Sequence, residues 1–145
     1  MAGGEQAPLR YAALDFETAD YQPDSACALA LILVEDGKII DRYVRLIRPP
    51  RSAFVFTYLH GIHWEQVEGE PNFAGVWPEF QARLTNVRFL AAHNAPFDRA
   101  VLRRCCEGSG LTPPSLPFIC TVKLARRAWK IFPTNLPAVC ARLGF

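Results

Sequence analysis

No uncharged apolar run in the 145-residue chain is longer than nine residues, Ala26 to Val34. A membrane-crossing helix needs about 20, so no segment qualifies as one. The start, Met-Ala-Gly-Gly-Glu-Gln, has no basic residue followed by an apolar stretch, and no secretory signal is expected from it. The five cysteines, Cys27, Cys105, Cys106, Cys120 and Cys140, form no Cys-x-x-Cys pair. The closely spaced ligands of a zinc site are therefore missing. An odd number of scattered thiols reads instead as reduced and buried, with a cytoplasmic location expected. Internal repeats and low-complexity tracts are also absent. Acids run out early, for nothing after Glu107 is acidic.

Apolar residues are plentiful at 50%, with ten Phe and three Trp, which excludes general disorder. The length suits one domain, and a chain of this size buries about two-thirds of its unfolded surface without disulfides. Residues 1–9 are expected to be a flexible tail and residues 10–145 the domain. The net charge of +2 conceals an asymmetry. Residues 1–80 carry 12 acids and 6 bases, whereas residues 81–145 carry 2 acids and 10 bases. A basic half attracts polyanions, nucleic acid above all, although a plain solvated surface has the same composition.

Hydrophobic period gives the elements. Arg10–Phe16 reads as a buried strand and Ala26–Val34 as a second. Asp36-Gly37 suits a tight hairpin, and Lys38–Ile47 reads as the returning strand. A short helix is expected over His60–Glu68. Another spans Phe73–Leu84, with its regular part starting near Pro78. Arg88–Ala92 is a short strand. Asn94 is an expected N-cap for a helix over Ala95–Glu107, with Phe97, Val101 and Cys105 on one stripe. Phe118–Cys120 is a brief strand. Helices follow over Thr121–Ile131 and Asn135–Leu143. In the first, Lys123, Arg126, Arg127 and Lys130 share one face, and Val122, Leu124, Ala125, Ala128 and Trp129 cover the other. Strands first, then alternating helix and strand, point to an α/β layer fold with a mixed sheet.

Asp15 and Glu17 end the first strand and point to one face, while Phe16 points to the other. Two neighbouring carboxylates repel unless a cation lies between them, and hard oxygen donors suit Mg²⁺ or Mn²⁺. Asp-x-Glu alone is common. Asp98, between a strand and the following helix, is a candidate third carboxylate, and equally a residue stabilising the helix N-terminus.

The stretches Asp15-Phe16-Glu17-Thr18, His60-Gly61-Ile62 and His93-Asn94-Ala95-Pro96-Phe97-Asp98 resemble the ordered motifs of the DEDD-type 3′–5′ exonucleases, in particular the DEDDh-like proofreading epsilon subunit of bacterial DNA polymerase III and its relatives. Thr121 to Arg127 and Leu136 to Gly144 are similar to that family too. The resemblance covers about residues 10–145. It implies a ribonuclease H-like fold, a mixed five-stranded sheet flanked by helices, and hydrolysis of phosphodiester bonds from a 3′ end with two divalent metal ions, Mg or Mn. Asp15, Glu17 and Asp98 would be the catalytic metal ligands. Phe16, Thr18, His60 and Phe97 would lie at the terminal nucleotide. Lys123, Arg126, Arg127 and Lys130 are candidate phosphate contacts. The partner implied is a nucleic-acid 3′ end, DNA before RNA, with a polymerase subunit as a further partner and a role in replication.

The family pattern also includes a third motif, a general-base His followed by a fourth acid, which nothing after Glu107 supplies. Ala19-Asp20 stands where relatives often have Thr-Gly. The expectation is a C-terminally truncated domain, near-inactive as a 145-residue piece. The alternative is a catalytically dead nuclease-like module that binds nucleic acid or a polymerase subunit.

Overall fold

Strand β1 (Arg10–Thr18) is the middle of a five-stranded sheet of order β3-β2-β1-β4-β5. The computed structural model describes residues 4–145. Of the expected tail, residues 1–3 lie outside the described residues, and residues 4–9 form neither helix nor strand. β2 (Ala26–Glu35) pairs antiparallel with β1, and β3 (Lys38–Leu46) pairs antiparallel with β2. The hairpin between them turns on Asp36 and Gly37, both at positive φ (48° and 78°), the geometry that an Asp-Gly pair accommodates. β4 (Phe89–Ala92) and β5 (Phe118–Cys120) complete the sheet in parallel with β1. The sheet is mixed, as the order of elements in the sequence implies.

Alternation along β1 sends Ala12, Leu14 and Phe16 into the core, while Asp15 is exposed on the other face. The core lies between that inner face and two helices, α3 (Phe73–Arg83) and α4 (Ala95–Gly108). Trp77, Phe80, Val101 and Leu102 meet Phe16, Leu29, Leu31 and Leu90 there. Two single-turn helices, α1 (Thr57–His60) and α2 (Trp64–Val67), replace the one short helix expected over His60–Glu68. Gly61, at φ 75°, takes the left-handed turn that separates them. α5 (Thr121–Ala128) and α6 (Leu136–Leu143) follow β5.

Three expectations need correction. α3 does not start at Pro78 but runs through it from Phe73. An interior proline costs roughly 3 kcal/mol. Burying Phe73, Val76, Trp77 and Phe80 on the same helix outweighs that cost, at roughly 1.5–3 kcal/mol for each large apolar side chain.

The helix expected over Thr121–Ile131 stops at Ala128. Lys130 is left-handed (φ 52°), and the Ile131 N–H returns to the Ala125 carbonyl at 3.1 Å. This drops Ile131 into a small core with Ala125 and Val139. Lys130 therefore leaves the face that helical spacing predicts for it. The opposite face is not core-packed, since only Ala125 is buried while Leu124 and Trp129 stay exposed.

The stripe on α4 is Ala95, Asp98, Val101, Leu102, Cys105 and Cys106, and Phe97 is not in it. All five cysteines are free thiols, and three of them are buried.

Pro78 is exposed, so alanine there would forfeit little packing. Pro78→Ala restores the N–H facing the Ala74 carbonyl and should raise stability by about 1–3 kcal/mol after the loss of unfolded-state restriction. Urea unfolding of the two proteins measures it, and an unchanged midpoint would show that α3 has already absorbed the proline.

Candidate active site

The C-terminal end of β4 lies beside the middle of β1, and the carboxyl ends of parallel strands are where open α/β sheets put their ligands. β1 runs past its pairing with β4, which ends at Ala13↔Ala91. Its last residues, still paired with β2 on one side, therefore have no strand partner on the other, where α4 starts. A register shift between Glu17 and Thr18 falls at this end, and such bulges re-aim the side chains around them.

From β4 the chain enters α4 through Asn94, which is left-handed (φ 70°, ψ 56°) and makes no side-chain cap hydrogen bond. The expected Asn cap is thus a backbone turn. Asn is one of the few residues that tolerate this conformation. The turn brings the first turn of α4 against β1.

There the Phe16 N–H donates to Asp98 Oδ1 at 3.0 Å, and Asp98 is only 2% exposed. Burial pushes the Asp98 carboxyl up to about 7; the Phe16 N–H opposes this, and the charges of Asp15 and Glu17 add to it. Glu17 is raised by burial and then by Asp15, with His60 acting the other way. Partial burial raises Asp15 too, against the influence of His93. The three carboxylates thus share one electrostatic neighbourhood.

They do not form a finished ligand cage. Among the described residues, no three His, Cys, Asp or Glu side chains are placed to hold one metal ion. The donor chemistry still suits a divalent cation, because Asp15 disfavours the charge of Glu17, and both disfavour that of Asp98, a repulsion that a positive ion among them relieves. Asp20 is not a fourth candidate. Burial disfavours its charge, but the Arg51 guanidinium and the Gln22 N–H hold its carboxyl below the usual range.

His60 braces the end of β1. Its Nε2–H donates to the Thr18 carbonyl at 3.0 Å, and its Nδ1 accepts from the Ile62 N–H at 3.0 Å. The two contacts specify one tautomer and engage both ring nitrogens. His93 clasps the C-terminal segment. Nε2–H donates to the Thr134 carbonyl at 2.7 Å, and Nδ1 meets the Thr121 hydroxyl at 2.8 Å.

Phe16 is buried in the core at 2%, under the site rather than in it. Thr18 is buried at the rim of a cavity of about 200 Å³, which Phe97, Tyr21 and Phe56 also line. Phe97 is 43% exposed, and Tyr21 packs edge-on to Phe56 at 4.8 Å. The sequence reading misses Tyr21 and Phe56. The available signal is an aromatic residue in a polar loop (Tyr21-Gln22-Pro23-Asp24), with no apolar neighbour to explain it. Lys123, Arg126, Arg127 and Lys130 are all exposed, and Arg126 Nη2 donates to Thr134 Oγ1 at 2.9 Å.

With a carboxyl near 7 in the folded chain and an ordinary value of 3.8 when unfolded, Asp98 holds its proton longer in the native state. Its contribution to stability is complete below about pH 4 and is lost as pH rises through about 7. Asp98→Asn keeps an oxygen for the Phe16 N–H and cannot ionise. In metal-free buffer at about pH 8 it should be more stable than the wild type by roughly 2–4 kcal/mol. The advantage should vanish near pH 4. Chemical denaturation across this range tests it, and parallel stability curves would contradict the buried-charge account.

The model of the family described as Exonuclease matches residues 12–145. The PolC-type DNA polymerase III of Thermotoga petrophila is 33% identical over 137 residues, which are 92% of this chain and 10% of that protein. Exodeoxyribonuclease 10 of Escherichia coli K12 is 34% identical over 119 residues, 80% of this chain and 47% of that one. The chain thus spans a tenth to about half the length of these relatives. A solved structure described as exonuclease X in complex with 5′ overhanging duplex DNA superimposes with a TM-score of 0.76 at 29% identity, covering 92% of this chain and 73% of that one.

Proposed function

The chain belongs to this exonuclease family and has its ribonuclease H-like fold, and on that premise we propose that it is a metal-dependent 3′–5′ exonuclease domain acting on nucleic-acid 3′ ends. One observation carries the reading: the buried Asp98 carboxylate, held by the Phe16 N–H beside Asp15 and Glu17. A structural acid at a helix N-terminus gains stability by facing water, not by being buried next to two other carboxylates. DNA is the favoured substrate, since the neighbour of 29% identity is bound to duplex DNA.

Asp15, Glu17 and Asp98 would hold two divalent ions, Mg or Mn, which when bound supply water activation and stabilise the in-line displacement. The protein's own part is positioning. The Phe16 N–H fixes Asp98, and His60 fixes the Thr18 carbonyl and with it the end of β1. Phe97, Tyr21 and Phe56 offer an aromatic wall for the terminal base, where stacking is tolerant of sequence. Lys123, Arg126, Arg127 and Lys130 are proposed phosphate contacts for the rest of the strand.

The sequence has no acid after Glu107 and no histidine after His93. The general base and fourth ligand that the resemblance calls for are therefore not supplied by these residues. A missing general base alone removes roughly 10²–10⁴-fold of rate.

In a gel assay with 3′- and 5′-labelled oligonucleotides and Mn²⁺, the chain should shorten DNA from the 3′ end at least ~10²-fold more slowly than exodeoxyribonuclease 10 of Escherichia coli measured beside it. The residual activity should disappear with EDTA or with Asp15→Ala. Brisk turnover would refute the proposed deficit, and activity that survives Asp15→Ala would refute the site.

A second reading, a nuclease-like module that binds nucleic acid or a polymerase subunit without cutting, is favoured by the lack of a closed three-ligand cluster among the described residues. It requires wild type and Asp15→Ala to be equally inert while both bind DNA.

Arg126 and Arg127 test the basic surface. Reversing both to Glu should weaken DNA binding and flatten its salt dependence, the log–log slope falling by about one for every phosphate these two side chains neutralise. Fluorescence anisotropy across a salt series measures this, and an unchanged slope would leave that face as ordinary solvated surface.

A further inference from the structure

A cavity of about 330 Å³ opens between the C-terminal half of α4, the chain leaving β3 and the first turn of α3. That volume admits a ligand the size of one nucleotide. None of Asp15, Glu17 or Asp98 lines it; Arg48, Arg104, Trp64, Phe73, Asn72 and Asp24 do. The backbone of Arg48 is fixed by its N–H, which donates to the Pro71 carbonyl at 2.9 Å, and by a bridge to Asn72. Its guanidinium has no ion-pair partner among the described residues. Arg104 reaches Glu107 only at 3.6 Å, with both side chains more than half exposed, an arrangement worth little in water.

The one acid on the wall, Asp24, is already taken by Arg51 at 2.5 Å. α3, 11 residues long, turns the positive end of its dipole toward the same space. The cavity is therefore lined by two available guanidinium groups and one neutralised carboxylate. Arginine forks match phosphate oxygens in geometry as well as charge. Trp64 adds an indole braced edge-on by Phe54, with ring centroids 6.5 Å apart. An anion site needs no such surface, whereas a base does.

We propose that this cleft binds a nucleotide unit, with its phosphate between Arg48 and Arg104 and its base against Trp64, at a place separate from the three carboxylates. The unit has two sources, a free nucleotide or an internal residue of a bound strand. Arg104 lies six residues beyond Asp98 on α4, a rise of about 9 Å along the helix. The strand source rests on the exonuclease reading, and the free-nucleotide source does not.

The test uses the whole chain in EDTA and follows the indole N–H signal of Trp64 by NMR, assigned with Trp64→Phe. The titrants are deoxyadenosine monophosphate, a five-residue deoxyadenosine oligonucleotide, deoxyadenosine and inorganic phosphate. A nucleotide titrant should shift the signal saturably, with deoxyadenosine and phosphate at least ~10-fold weaker. Arg48→Ala combined with Arg104→Gln should weaken binding roughly 10-fold or more while circular dichroism stays native. Saturation by the monophosphate identifies the free source, and saturation by the oligonucleotide alone identifies the strand. A silent Trp64 signal, inorganic phosphate binding as tightly as the nucleotides, or indifference to the arginine variants would each overturn the proposal. An oligonucleotide that binds without moving Trp64 would remove this cleft and leave the carboxylate site standing.

Discussion

One buried hydrogen bond, from the Phe16 N–H to Asp98 Oδ1, joins two segments 82 residues apart and makes the site a single place. Without it, a carboxylate at 2% exposure would have lost its water and gained two like charges. The bond compensates only in part, for Asp98 remains pushed up to about 7. A fold selected for stability alone would place an apolar residue or an amide at this position. The carboxylate survives because the surrounding core over-determines it. Phe16 on β1 and Val101 and Leu102 on α4 are buried to 2% or less, so the elements that carry the two partners cannot separate to let water in.

The charge distribution has a matching logic. The basic half of the chain draws a polyanion inward, yet the point where β1 meets α4 is acidic. A phosphate arriving there meets repulsion unless positive charge lies among the carboxylates. The protein also limits how many carboxylates take part. Asp20 and Asp24 sit a few residues beyond Glu17, and Arg51 holds both, at 2.9 and 2.5 Å. Their charge is neutralised in the loop that leads away from β1. Three acids are left to act together, and the loop gains a fixed shape through Ser25, whose hydroxyl donates to the Gln22 carbonyl at 2.7 Å.

Elements governed by local chemistry are legible in the sequence. Alternation gives β1, the Asp36-Gly37 pair gives the hairpin, and the acid pair at the end of the strand gives one flank of the site. What is not legible depends on partners distant in the chain. Pro78 reads as a helix boundary until the burial of Trp77 and Phe80 beside it is known. Lys130 reads as one more cation in a helical series until Ile131 finds Val139 and pulls the chain around. Asn94 reads as a side-chain cap because its residue type cannot distinguish a cap from a left-handed turn. The resemblance implies a place for His60 at the terminal nucleotide, but its bonds to the Thr18 carbonyl and the Ile62 N–H, which brace the end of β1, have no signal in the sequence.

Phe97 shows how one constraint sets another. Spacing alone predicts it on the apolar stripe of α4. Successive helix residues diverge by about 100°, however, and the stripe is fixed by Asp98, which must face β1 to meet the Phe16 N–H. Once Asp98 points inward, its neighbour has to point aside. Phe97 therefore lies 43% exposed beside the cavity that Tyr21 and Phe56 also line. An exposed phenylalanine costs hydrophobic stabilisation that an interior position would have gained. Here the cost follows from the buried acid next to it, so the aromatic wall and the carboxylate are two consequences of a single choice of helix rotation. A rotation that hid Phe97 would turn Asp98 away from β1 and leave the carboxylate neighbourhood one member short.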